Sequence, residues 1–134
     1  MHPALWISKT GLDAQQTDIA VISNNVANAS TVGYKKSRAV FEDLLYQTVN
    51  QAGGISASNT KLPNGLNIGA GTKVVATQKM FTQGNMLTTD NSLDLMIEGP
   101  GFFEVQLPDG TTAYTRNGQF AVDSQNRIVN ENGL

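Results

Sequence analysis

The chain has 134 residues, 40% hydrophobic, 15% charged and 7% aromatic, which suits one compact domain, or a small domain with an extension, and excludes a large multidomain enzyme. Nine basic against eleven acidic residues give a formal charge of −2, so no broad positive field exists to hold a phosphate backbone, and nucleic acid is not an expected partner. Zero cysteines remove disulfides, thiolate metal sites, iron–sulfur clusters and thiol nucleophiles together, and leave the redox compartment open.

The opening apolar run, Ala4-Leu5-Trp6-Ile7, ends at Ser8 and Lys9. That is far short of the roughly 7 to 15 residues of a secretory core or the roughly 20 of a membrane span, so export is expected to use a route that reads no cleavable hydrophobic signal. From Pro3 to about Ala29 the pattern is helical, closed by Asn28, Ser30, Thr31 and Gly33. Leu5, Leu12, Ile19 and Val26 recur every seven residues and Ile22 follows Ile19 by three, a narrow apolar seam of the coiled-coil type. The companion row is half polar, with Ser8 and Gln15, and Gly11 costs roughly 1 kcal/mol relative to Ala, so this helix needs partners to persist. An ordinary amphipathic helix packed on its own domain fits the spacing equally well. Asn24, Asn25 and Asn28 share one edge of the helix, as a capping cluster or as a polar ladder between packed helices.

Lys35, Lys36 and Arg38 are balanced at once by Glu42 and Asp43 and read as a solvated face. Val40, Phe41, Leu44, Leu45 and Thr48 form the stripe of a short second helix that buries Phe41. Gln51 to Asn67, rich in Gly, Ser, Asn and Thr and carrying Ala52-Gly53-Gly54 and Pro63-Asn64-Gly65, reads as a long irregular arm, either mobile or lying on a neighbour. Strands follow. Thr72 to Thr82 alternates, as do Leu93, Leu95 and Ile97 with Asp94 and Met96. Phe102 to Leu107, Thr111 to Arg116 and Gln119 to Asp123, joined by Pro108-Asp109-Gly110 and Asn117-Gly118, predict a meander, and Ile128-Val129 begin a last strand before Asn132-Gly133.

Chemistry is sparse along this frame. His2, the single histidine, stands at the terminus, so a triad or a histidine-ligated metal is excluded. Asp90, Ser92 and Asp94 begin like a calcium loop, but Leu95 occupies the turn glycine's place and Gly101 that of the closing glutamate. Gly69-Ala70-Gly71 lacks the third glycine and the helix of a dinucleotide site. Asp94, Glu98 and Glu104 have no apolar pocket to raise a pKa for acid–base work. No cofactor, metal, small-molecule substrate or enzymatic activity is expected.

The run LDAQQTDIAVISNNVANASTVGYKKSRAVFEDLL, from Leu12 to Leu45, resembles the amino-terminal signature of the axial proteins of the bacterial flagellum, the rod and hook family. Gly99-Pro100-Gly101-Phe102-Phe103, with Tyr114-Thr115-Arg116-Asn117-Gly118 and Phe120, is similar to the β domain those proteins share. Within the family the likeness is nearest to the distal rod branch, through Phe41-Glu42-Asp43-Leu44-Leu45-Tyr46-Gln47-Thr48 and the long arm to Gly69-Ala70-Gly71; hook proteins have a shorter connection there. The resemblance implies an arm packed along neighbouring subunits, type III flagellar export, self-association, and contacts with proximal rod proteins, the hook protein and the P- and L-ring proteins. It implies also a carboxy-terminal helix pairing with the first, so a chain ending at Asn132-Gly133-Leu134 is expected to be a fragment, a processed form or a truncated product. Asn126 stands where the family turn usually has Gly, and Asn tolerates the left-handed conformation.

The expectation is therefore an α+β chain: an assembly helix over residues 1–33, a short helix and extended arm over 34–71, and a small antiparallel β domain over 72–134. The expected assembly interface is Leu5, Leu12, Ile19, Ile22, Asn24, Asn25, Val26, Asn28, Phe41, Leu44 and Leu45. A subunit whose contacts do not close would polymerise into a helical shaft. The alternatives are a proximal rod or hook subunit, or a secreted glycan-binding module using Trp6 and Tyr114.

Overall fold

The computed structural model describes residues 2–57, 60–61 and 63–134. One helix, α1 (Pro3–Ala27), is followed by ten short strands. The helix starts where Leu5 N–H donates to His2 O (3.0 Å), and it gives way to turns in which Ala29 N–H donates to Val26 O and Thr31 N–H to Asn28 O. Its first turn holds no acid and its last no base, so neither end of the macrodipole is compensated from within.

The chain divides into two compact units: Met1–Asn24 with Ser37–Gln78, and Asn25–Lys36 with Lys79–Leu134. In the first, β1 (Ser37–Asp43) and β6 (Thr72–Lys79) form a two-stranded ribbon, while β2 (Tyr46–Asn50) pairs antiparallel with β5 (Leu66–Gly69), and β3 (Ile55–Ala57) with β4 (Thr60–Lys61). Two expectations are corrected here. The short second helix is absent: Val40 and Phe41 lie in β1, because Thr72–Lys79 offers it a ladder of backbone partners that a five-residue stripe cannot match, closed at one end by Leu44 N–H to Gly71 O (2.8 Å). The arm is not irregular but largely a hairpin, with Tyr46 opposite Gly69 and Gln47 opposite Ile68; Ser58, Asn59 and Leu62 lie outside the described residues. Along the ribbon, Arg38 Nε and Nη2 donate to Gln78 Oε1 (3.0 and 2.7 Å), and Lys73 pairs with Glu42 (3.1 Å).

In the second unit β7 (Phe103–Gln106) pairs with β8 (Thr112–Thr115), and β9 (Phe120–Val122) with β10 (Ile128–Asn130). These are two separate hairpins, not a meander, since β8 and β9 share no ladder. Asn117-Gly118 does not make the hairpin turn that its sequence suggests. Gly118 instead brings two backbones together: its carbonyl accepts from Leu95 N–H (2.9 Å), and a Cβ placed on it would stand 1.7 Å from Leu95 O. Leu93 to Ile97 consequently forms no strand and contributes a single bridge, Asp94 to Gln119. The turns of the hairpins themselves behave as read. The hydroxyl of Thr111, then its N–H, donate to Asp109 and hold that carboxyl below its ordinary value. Asn126 adopts φ 59°, and the Arg127 guanidinium and Ser124 hydroxyl donate to Asp123, depressing its carboxyl likewise.

Arg116 ties this unit together. Its Nη2 donates to the carbonyls of Ile97 (2.6 Å) and Gly99 (2.6 Å) and to Gln83 Oε1 (2.9 Å), and its Nη1 to the carbonyl of Gly101. The end of β8 thereby holds the Gly99-Pro100-Gly101 bend in place. Phe103 and Phe120 meet edge to face at 5.2 Å, joining the two hairpins, and Phe81 and Phe102 do so at 5.9 Å.

Little of this is interior. Ala14, Val105 and Gly118 are the buried positions among the described residues. Many large apolar side chains are exposed.

Candidate assembly surface

The helix carries two apolar stripes, not one. Ile7, Ala14 and Val21, with Gly11 and Asp18 between them, face inward, and Ala14 is 4% exposed. There Thr10 bridges to the β5–β6 turn: its hydroxyl donates to Ile7 O (2.8 Å) and accepts from Thr72 N–H at 3.4 Å, against a Gly71 whose missing Cβ makes room. The row Ile7, Ala14, Val21 is offset from Leu5, Leu12, Ile19 and Val26 by two residues, roughly 200° around the helix, so these rows lie on opposite faces, while Ile22 stands at the border, about 40° from Asp18. The seam residues Leu5, Leu12, Ile19, Ile22 and Val26 are 51% to 71% exposed. Small and half-polar residues thus serve the helix's own unit, and the large aliphatic ones face solvent.

The outward face is otherwise lightly charged. Lys9 pairs with Asp13 (3.2 Å), both well exposed, and lies 5.2 Å from the Trp6 ring centre. Such an exposed pair is worth at most about 1 kcal/mol and does not cover the seam.

The asparagines at the end of α1 sit in a different setting. Tyr34 Oη donates to Asn25 Oδ1 (2.9 Å) and Thr31 Oγ1 donates to Asn28 Oδ1 (3.2 Å), which ties the helix end to the turn that follows; Asn24 is engaged too. Gly33 closes that turn with φ 76° and its Cα against the backbone of Asn117. Of the remaining predicted residues, Phe41 is 40% and Leu45 90% exposed, and Leu44 is half-buried beside its backbone bond to Gly71. The sequence offered Arg116 only as part of the Tyr114–Gly118 motif, and Gly118 only there and as half of the Asn117-Gly118 turn signal.

Among the described residues no three His, Asp or Glu side chains converge on a possible metal position, and no helix is long and apolar enough to cross a membrane. An open groove of about 770 Å³ runs along β7 and β10, lined by Phe103, Val105, Phe120 and Ile128.

The helix with its closing turn and the Arg116-held hairpins are each a recognised module of flagellar axial proteins. Residues 5–35 match the family described as flagella basal body rod protein, and residues 96–134 match that described as the flagellar hook protein FlgE/F/G D1 domain. The chain belongs to the flagellar rod and hook protein family. It is 59% identical over 133 residues to the flagellar basal-body rod protein FlgG of Buchnera aphidicola subsp. Schizaphis graminum, covering 99% of this chain and 51% of the relative. It is 49% identical to that of Borreliella burgdorferi, covering 99% and 50%, and 40% identical to the flagellar hook protein FlgE of Helicobacter pylori, covering 100% and 19%. The chain thus spans about half the length of the rod relatives that it matches.

Proposed function

We propose that the chain works as a structural subunit of the flagellar basal body, polymerising helically into the distal rod, the drive shaft that passes torque to the hook. The outward stripe of α1 carries this reading. Five aliphatic side chains left more than half exposed, four of them opposite the face that the helix uses for its own unit and Ile22 at its border, each have roughly 1–2 kcal/mol still to gain from burial, and only contact with another chain or segment supplies it. Residues 1–33 act as the assembly element, 34–71 as the arm that lies along neighbours, and 72–134 as the β domain. The partners are further copies of the subunit, the proximal rod and hook proteins, and the P- and L-ring proteins around a periplasm-spanning rod.

The test is Ile19→Asp with Ile22→Asp in the full-length protein. Rods should be missing from electron micrographs of basal bodies, while amide shifts of the 103–130 hairpins stay in place. Rods of normal length would overturn the seam assignment. The 40% identity to a hook protein favours a hook subunit as the second reading. Removing residues 46–68 from the full-length protein separates the two: a distal rod should lose stiffness or straightness, and an unaltered straight rod would count against the first reading.

A further inference from the structure

The chain holds three Asn-Gly pairs, Asn64-Gly65, Asn117-Gly118 and Asn132-Gly133, and their surroundings differ sharply. In such a pair the backbone nitrogen of the glycine, unshielded by any Cβ, can attack the asparagine Cγ. A carbon–nitrogen bond closes a five-membered succinimide and the side-chain nitrogen departs as ammonia with the amide proton. Water then opens either carbonyl of the ring, giving aspartate or isoaspartate, so the balance is asparagine plus water to acid plus ammonia, with no oxidant or reductant. Closure needs the side chain free to swing over the next amide and that amide free to rotate.

Asn117 has neither freedom. Its Oδ1 accepts from Gln119 N–H (3.0 Å), its own N–H donates to Thr115 Oγ1 (3.1 Å), and Gly118 is buried against Leu95. Asn132 is partly braced: its N–H donates to Asn130 Oδ1 (3.0 Å), and the nitrogen that would attack, Gly133 N, donates to Asn130 O (2.9 Å). Asn64 is exposed in the bend before β5, outside every ladder, and its amide makes no hydrogen bond among the described residues.

We infer that Asn64 is a site of spontaneous deamidation selected by the fold, a slow chemical change at the base of the arm hairpin. The product carries a new carboxylate, taking the formal charge from −2 to −3. Isoaspartate would also add a methylene to the backbone beside Gly65, where even a Cβ would stand only 2.8 Å from Asn50 O and 2.9 Å from Ala52 N. The arm would then close less well.

The experiment is peptide mapping by mass spectrometry, with isoaspartate detection, on the 134-residue chain held in mildly alkaline buffer. The Asn64 peptide should be lost first, gaining a single mass unit and yielding mostly isoaspartate; the Asn132 peptide should follow, and the Asn117 peptide should persist. In urea the three should convert at similar rates. Asn64→Gln should abolish the fast conversion without disturbing the 103–130 hairpins. A native chain in which Asn117 converts as fast as Asn64, or an order unchanged by urea, would overturn the inference. Neither outcome depends on rod assembly.

Discussion

Replacing Arg116 with Ala tests whether one exposed-looking cation organises the second unit. Its Nη2 faces three acceptors but carries two protons, so at most three bonds act at once, counting that to Gly101. Bonds to a charged donor are worth about 1.5–3 kcal/mol each when their groups stay dry, but here water can replace the guanidinium at Gly101 and Gln83. The half-buried carbonyls of Ile97 and Gly99 are harder to rehydrate, and about 1 kcal/mol for each plus lost packing gives roughly 2–3 kcal/mol. The readout is hydrogen exchange at the Leu95 amide, whose acceptor is Gly118 O, two residues from the arginine. Protection should fall about 30- to 150-fold, the same free energy expressed as a population of open forms. Arg116→Lys should fall between, because an ammonium reaches one or two of these carbonyls but cannot bridge the bend as a planar fork does. Unchanged protection in Arg116→Ala, or full protection in Arg116→Lys, would refute the reasoning.

Gly118→Ala must push two backbones apart, and the lost Leu95 bond added to overpacking should destabilise the second unit by roughly 2–4 kcal/mol in urea titrations, with Asp94 and Gln119 losing their bridge. Asp109 and Asp123 both have folded values below their unfolded ones, so their contribution is fully present above about pH 4 and is lost as pH falls through the folded values. The β7–β8 and β9–β10 turns should therefore loosen on acidification, measured as turn amide exchange, and Asp109→Asn should flatten that response at the first turn.

Much of this organisation was legible in the residues, and the failures have physical causes. The heptad of Leu5, Leu12, Ile19 and Val26 marked the stripe, because large aliphatics at fixed spacing share one face, but that this face is the exposed one and not the packed one came from the structure. The inward stripe was hidden, since Gly11, Ala14 and Asp18 do not look like a buried face until Thr10 and Gly71 are seen together. Val40-Phe41 suited a helix stripe as well as a strand, and the choice was made by β6, more than thirty residues away. Tyr46–Asn50 lacks alternation because the ribbon it forms with Leu66–Gly69 is wet on both sides, so nothing imposes a polar face opposite an apolar one. Asn117-Gly118 misled for the opposite reason: a dipeptide with strong turn chemistry was used for close approach, and composition cannot distinguish those uses. Arg116 was visible only as part of a motif, since three of its four partners are main-chain oxygens that any residues could have supplied.

The opposed stripes of α1 bear on how mutations in this chain would be scored. A screen that ranks variants by melting temperature or soluble yield of the lone molecule would flag Ala14 and pass Leu12, although the second is the one that swimming should depend on. Silent in the test tube and crippling in the cell is the phenotype to expect along that outer edge, and motility on soft agar is where such alleles would surface.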